Sequence, residues 1–380
     1  MDIYSKAQDE LNNFINKNLS NYARDRNYDY GPENRSNTSV LSKYISHRIL
    51  IEYDIINRAL LKYPISTIDK YIQEIFWRIY WKGWLEHRPQ VWNDYYNFQP
   101  TNINIENLDK ATTGNTGIEC FDAWVLELKK YNYLHNHTRM WFASIWIFTL
   151  KLPWQLGANF FMKYLLDGDS ASNTLSWRWV AGLQTVGKNY LATSSNIHKY
   201  TNGRFSPVGL NEHAECIKDI SSNSAGELNI TKSRQSSSEV IILDNDLSFN
   251  DRKDTFNKYK IIYLLHLSNH CRRIKLSDNV LKFKYSCLTG FSNEFNQVKI
   301  VDETEIEKVL NKSKSIDVIY PCIGENLSFL EANKNKSILN YIYRSEDLFC
   351  WKYAKKGFFN FKKNIPLIIQ RIFEQKDLFS

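Results

Sequence analysis

At 380 residues the chain is long enough for two domains with cores of their own. Its 43% hydrophobic and 24% charged residues exclude an intrinsically disordered chain. The formal net charge of +8 is spread along the chain without a basic tail, so it permits an anionic partner such as nucleic acid and proves none.

The opening segment, MDIYSKAQDELNNF, is polar and acidic where a signal peptide is basic and then apolar. Residues 1–212 read as mostly helical. Segments 39–62, 66–86, 118–131 and 136–150 carry apolar side chains at three- and four-residue spacing between Pro, Gly or Asn-rich breaks. The longest apolar stretch, Met140 to Leu150, stops at Lys151 and is too short to span a bilayer. Residues 213–239 contain the serine-rich run Ser221 to Ser238, which predicts a linker or a long surface loop. Over 240–380 the short apolar runs Val240–Leu243, Lys260–Leu265, Val298–Val301 and Val318–Tyr320 predict buried strands. Helical patterns such as Glu303–Leu310 lie between them, which predicts a small parallel α/β domain. It has no G-x-G-x-x-G or P-loop glycine pattern. The six cysteines are far apart and lack C-x-x-C spacing, so a zinc site, an iron–sulfur cluster and a disulfide framework are unsupported. The expectation is a cytoplasmic protein with no membrane contact, most simply a monomer.

The densest polar and aromatic cluster is DGDSASNTLSWRWVAGLQT, Asp167 to Thr185. On a helix Asp169 and Asn173 share a face, so a carboxylate and an amide can address one polar ring edge together. A capped helix with buried aromatics accounts for the same residues without a ligand. Glu74, Trp77, Arg78 and Trp81 fall at i, i+3, i+4 and i+7, a face that reads by itself as core.

Asp167 to Thr185 resembles the flavin signature of the DNA photolyase and cryptochrome superfamily, and four more segments resemble that family's motifs in the same order. They are TSVLS (Thr38 to Ser42), EIFWR (Glu74 to Arg78), TGIECFDAWVLEL (Thr116 to Leu128) and HNHTRM (His135 to Met140). Together they cover most of residues 20–205. The resemblance implies an all-helical photolyase-type FAD-binding domain, which with the small parallel-sheet α/β domain read from the pattern gives an α+α/β fold. It implies FAD as cofactor. Tyr22, Thr38, Ser39, Leu41 and Ser42 are expected around the pyrophosphate, where hydroxyls and amides at a helix start suit an anion. Arg78 is expected among the flavin contacts, Arg139 and Asp167 as a pair beside the isoalloxazine ring, Asp169 at its polar edge and Asn173 at N5.

The activity implied is light-dependent repair of UV-damaged DNA, as a deoxyribodipyrimidine photo-lyase. An electron passes from photoexcited, reduced FAD to a flipped-out cyclobutane pyrimidine dimer, which must be held dry and stacked. Trp77 and Trp179 resemble the two lesion-stacking tryptophans, Glu74 the acid that bonds the dimer bases, and Asn136 and Met140 the remaining contacts. Members acting on (6-4) photoproducts resemble one another in carrying histidines where this chain has Asn136 and Met140, so the cyclobutane dimer is the expected lesion. The alternative role is a cryptochrome-type blue-light photoreceptor that binds the same FAD without repair.

Three departures stand out. His137 occupies a position where cyclobutane-dimer enzymes usually carry an arginine near the DNA, which predicts a weaker or pH-dependent grip. Trp177 and Trp154 resemble the inner and middle members of the electron-transfer chain, but no Trp lies between Trp92 and Trp124, where the outer one is expected; Tyr95 or Tyr96 is a candidate end. Tyr22 lies so near the start that no antenna domain is expected ahead of it. IILDNDLSFND (Ile241 to Asp251) resembles the antenna domain's first strand and acidic turn, and GFFNFKK its exit segment. The C-terminal region therefore reads either as a relocated antenna-like domain or as an unrelated module, and the sequence does not specify a second, antenna chromophore.

Overall fold

The first helix starts by capping chemistry. In α1 (Ile3–Lys17) the Asp2 carboxylate accepts the amides of Tyr4 and Ser5, and the helix buries Tyr4, Ala7, Leu11, Phe14 and Ile15 along one face. The computed structural model describes residues 2–185, 187–217, 224–228, 230, 235–334 and 337–377; within the predicted linker, residues 218–223, 229 and 231–234 lie outside the described residues.

The predicted helix over 39–62 is two helices, α2 (Ser42–Ser46) and α3 (Glu52–Lys62). Between them Arg48 takes φ 51° and Ile51 is extended. The cause is electrostatic: turning the chain at Arg48 aims its guanidinium inward at three carboxylates. The 66–86 pattern is α4 (Ile65–Glu86), released by Pro64. After it come α5 (Pro89–Tyr96), α6 (Ile105–Thr113) and α7 (Glu119–Tyr131), the last ended by left-handed Asn132. The 136–150 segment is α8 (Asn136–Ser144) running into a π-turn, Ile145–Thr149. Then come α9 (Trp154–Tyr164) and α10 (Ser170–Val180).

The sheet follows. Strands β1 (Glu239–Leu243), β2 (Ile261–Leu265), β3 (Val298–Val301), β4 (Ser315–Ile319) and β5 (Ile338–Ile342) pair parallel throughout, in the order β3-β2-β1-β4-β5. Sequence reading missed β5 because it is an edge strand that keeps partial exposure along its length, with Ile338 68% exposed, so no apolar run announces it. Helices α11 (Asp278–Ser292), α12 (Glu325–Asn333), α13 (Ser345–Trp351) and α14 (Phe358–Lys362) complete the labelled set. The fold class is therefore all-helical followed by parallel α/β.

The two regions share one apolar core, from Leu11 and Ile55 through Trp177 to Ile242 and Ile368. The segment after β5 returns to the helical region, where α13 lies along α4. Gly83 makes that approach possible, since a Cβ there would sit 2.5 Å from the Trp351 ring. No helix among the described residues is long and apolar enough to cross a membrane.

A buried ion network locks the halves. Arg48 donates to both oxygens of Asp347 (2.7 and 2.8 Å) and to Asp246 (3.2 Å), and stands 3.3 Å from Glu52. Lys82 lies 3.2 Å from Glu52, while Arg252 and Arg344 reach Asp246. Removing one member of such a buried set leaves its partners charged and unpaired. Arg48→Met is therefore expected to cost about 3–5 kcal/mol of stability, read as a lowered urea midpoint; a loss below about 1 kcal/mol would put the network outside the stability of the fold.

Candidate functional site

The site forms where α9 gives way to α10. Leu165 closes α9, Gly168 turns the chain, and Asp169 caps α10 by accepting the Ser172 amide at 2.7 Å. Asp169 thus stands ahead of the helix, and Asn173 donates its backbone amide to the Asp169 carbonyl (2.9 Å), so the helix face expected for this pair is in fact a cap with its first turn. The Asn173 side-chain amide donates to the Ala158 carbonyl (2.9 Å), which fixes the direction of its oxygen. Arg139 forks onto Asp167 with bonds of 2.9 and 3.1 Å, and Arg78 lies 4.0 Å from the same carboxylate. Burial pushes Asp167 upward, but Arg139 and then Arg78 outweigh it and hold the carboxyl below its ordinary range. Asp169 is likewise lowered against burial, with Lys82 the chief cause. Asp167 is 2% exposed while Arg139 keeps 22% and Arg78 21%, so the guanidinium edges face open space.

The Thr38–Ser42 turn lines the same region. Val40 adopts φ 52°, a left-handed conformation that costs a β-branched residue roughly 1–2 kcal/mol. Thr38 and Ser39 are half-buried and Leu41 fully buried. Ser42 Oγ and Ser172 Oγ are buried beside the Asp167 and Asp169 carboxylates, which each helps to hold in the charged form. Tyr133 lies between two guanidinium groups, Arg35 at 5.4 Å and Arg139 at 5.2 Å from its ring centre. Buried hydroxyls, an ion pair with an open edge and a fixed amide fit a flavin dinucleotide.

On the face of α4 nearest this pair, Glu74 accepts the Tyr22 hydroxyl and an Arg26 guanidinium N–H at 2.8 Å. Burial pushes the Glu74 carboxyl upward, with Tyr22 and Arg26 opposing. Trp77 is half-buried and stacks on Phe358 at 3.6 Å between ring centres. Trp179 is half-buried and stacks on Tyr190 at 5.5 Å. The structure records no ring contact between Trp77 and Trp179; they sit on α4 and α10, which pack together. At the start of α8 Asn136 is exposed, and Met140 is half-buried one turn on. His137 turns inward: its ring stacks on Trp141 at 4.2 Å and Nδ1 meets the Asn27 carbonyl at 3.0 Å. It therefore does not reach outward as an arginine does. No group of His, Cys, Asp and Glu able to hold a metal occurs among the described residues.

The Trp177 ring packs on Gly157, where a Cβ would meet it at 2.3 Å, one turn along α9 from Trp154. From Trp154 the ring contacts run outward to Tyr95 (5.4 Å), Trp92 (5.5 Å) and Tyr96 (5.3 Å). Sequence reading missed Arg26, Tyr133, Lys82 and Phe358. Tyr133 was detectable as an aromatic two residues before the HNHTRM motif; Phe358 gave no local signal, since it reaches Trp77 from the far end of the chain.

Residues 71–206 match the family model described as the FAD binding domain of DNA photolyase. The chain is 29% identical over 173 residues to a deoxyribodipyrimidine photo-lyase of Buchnera aphidicola subsp. Baizongia pistaciae, covering 43% of this chain and 36% of that one. It is 30% identical over 183 residues to the deoxyribodipyrimidine photo-lyase of Agrobacterium fabrum, covering 46% of this chain and 37% of the relative. A crystal structure of a bacterial class III photolyase from Agrobacterium tumefaciens aligns at TM-score 0.46 and 26% identity, over 52% of this chain and 42% of that one. The chain thus spans little more than a third of the length of these two curated relatives. Fold and site define a helical FAD-binding domain. Over that domain the chain is similar to members of the DNA photolyase and cryptochrome superfamily.

His135 ties the site to pH. It is fully buried and its Nδ1 accepts the His137 amide at 3.2 Å, capping α8, so the neutral ring carries its proton on Nε2. Burial lowers its pKa below the ordinary 6.5, with Asp29 opposing. A folded-state value below the unfolded one means stability is complete above about 6.5 and declines as pH falls, at up to about 1.4 kcal/mol per unit for one proton. His135→Asn, which caps without titrating, is expected to flatten the urea-midpoint profile between pH 7.5 and 5; an unchanged slope would assign the loss to other groups.

Proposed function

We propose that this protein is a light-driven photolyase that reverts cyclobutane pyrimidine dimers in UV-damaged DNA. The observation that carries this reading is the 4.0 Å approach of Arg78 to Asp167, which sets the Glu74–Trp77–Arg78 face of α4 against the flavin-side ion pair. The deoxyribodipyrimidine photo-lyases among the relatives support it.

In this reading Tyr22, Thr38, Ser39, Leu41 and Ser42 hold the dinucleotide's phosphates, while Arg78, Arg139, Asp167, Asp169 and Asn173 orient its ring system. Bound FAD in its reduced form supplies the electron when it absorbs blue light. The chain's own task is to extract the lesion, stack it and keep water out. Trp77 and Trp179 stack the dimer: Phe358 backs the Trp77 ring and Tyr190 backs Trp179, so both indoles are immobilised with part of their surface still open. Exposed Asn136 and half-buried Met140 complete the mouth. Glu74 bonds the dimer bases after giving up Arg26 or Tyr22. Trp177 and Trp154 form the inner part of a route for electrons to the pocket, continued by the Tyr95, Trp92 and Tyr96 rings.

One observation favours the photoreceptor role instead: Glu74 already has two partners within the protein. Irradiating UV-damaged oligonucleotides with the reduced, FAD-loaded protein decides between them. Loss of dimers is expected, with Trp77→Ala weakening lesion binding by about 1–3 kcal/mol, the worth of one stacked base, and Glu74→Ala reducing turnover while flavin absorbance is retained. Flavin photochemistry without dimer loss would assign the protein to the sensors.

A further inference from the structure

Between α6 and α9 lies an open groove of about 570 Å³ that has no part in the flavin site. One wall carries Ile105, Leu108 and Thr112, spaced to share a face of α6; the other carries Leu156, Phe160 and Tyr164 at successive turns of α9. Ile105 is 70% exposed, Leu108, Leu156 and Tyr164 are half-buried and Phe160 is buried, so the stripe is open to solvent at its Ile105 end. The volume lies within the range of small-molecule sites.

The rim is cationic. Lys129, Lys163, Arg273 and Lys275 line it against one carboxylate, Asp109. Among the described residues none of the four has a carboxylate within 4.0 Å. Lys129 and Lys163 stand in the last turns of α7 and α9, where the helix dipole accounts for them. Arg273 and Lys275 have no such reason. Arg273 is held by neutral groups, donating to Asn97 Oδ1 (3.0 Å) and lying 5.5 Å over the Tyr96 ring. Lys275 donates to the Asn269 and Arg272 carbonyls, both at 2.6 Å. Both cations are thus positioned without being neutralised. At the floor, Asn159 Oδ1 accepts the Tyr95 hydroxyl (2.7 Å), which turns the amide's N–H donors the other way.

We propose that this groove is a second ligand site for a nucleotide-class molecule, a ring bearing a phosphate group. The ring lies between the two apolar walls with the Asn159 amide at its edge, and the phosphate meets Lys163 and Arg273. Charge and shape argue together: apolar walls alone take any hydrophobe, and a cationic rim alone takes any anion, but the combination selects a flat ring with a negative substituent. The site stands independently of the photolyase reading.

The test titrates FAD-loaded protein with a fluorescent adenosine monophosphate carrying a methylanthraniloyl group, followed by anisotropy. Saturable binding is expected, weakened at least about tenfold by Lys163→Glu together with Arg273→Glu, and by a similar factor when the probe lacks its phosphate. Undiminished binding in the double variant or by the phosphate-free probe overturns the proposal. Displacement of the probe by an undamaged single-stranded oligonucleotide makes the groove a track for DNA backbone and overturns it equally. Unchanged flavin absorbance in the double variant shows that it is folded. Arg139→Ala, expected to lose flavin, should keep the probe, which separates failure of this site from failure of the flavin site.

Discussion

The arrangement depends on Arg48. Its guanidinium is 2% exposed and meets carboxylates from three places far apart in the chain, Glu52, Asp246 and Asp347. Stripping water from so many charges is costly, and the attraction repays it only where the geometry holds every partner. The bidentate fork on Asp347 supplies that geometry. A network of this kind contributes less to net stability than to uniqueness, because any other docking of the sheet strands these charges. It touches the candidate site through Lys82, which pairs with Glu52 and also lowers the Asp169 carboxyl. The acidic turn after β1 is thus committed to the interface.

The order β3-β2-β1-β4-β5 places a crevice at the carboxyl ends of β1 and β4, the usual ligand position in such sheets. Here it faces the helical region, and protein charges occupy it. Lys284 lies 3.0 Å and Arg272 3.7 Å from Asp244, Arg272 also pairs with Glu325, and Asn326 donates to Asp244. About 50 Å³ remains open among these residues, far below the roughly 300–1,000 Å³ of small-molecule pockets. The sheet uses its customary ligand position as a docking surface for the helical region.

What the sequence disclosed and what it hid divide along contact distance. Helices α4 and α7 were legible because periodicity and flanking residues lie in the same stretch, whereas Arg139, Asp167 and Asn173 stood out only through the family resemblance of the motifs that carry them. The break between α2 and α3 was not, since Arg48 turns toward Asp246 and Asp347, residues about two and three hundred positions away. The partners of Glu74 and Trp77 were hidden for the same reason: Tyr22, Arg26 and Phe358 arrive from other parts of the chain. Asp169 shows a subtler limit, for a helical period assigned it a face of α10 when its carboxylate was already used as the cap.

Phe358 changes how the two regions relate. A stacking residue is useful only if its ring is fixed before the ligand arrives, because immobilising it on binding costs rotamer entropy each time. Trp77 gains that rigidity from a ring about 280 residues away, stacked within 12° of parallel. Phe358 belongs to the segment that follows the sheet, where it also meets Tyr80 and Phe361, and the same segment is seated on the helical region through Trp351 at Gly83 and Asp347 at Arg48. The aromatic face on α4 is thus completed by a ring from the C-terminal region, tied to the helical region by the same segment that carries Asp347.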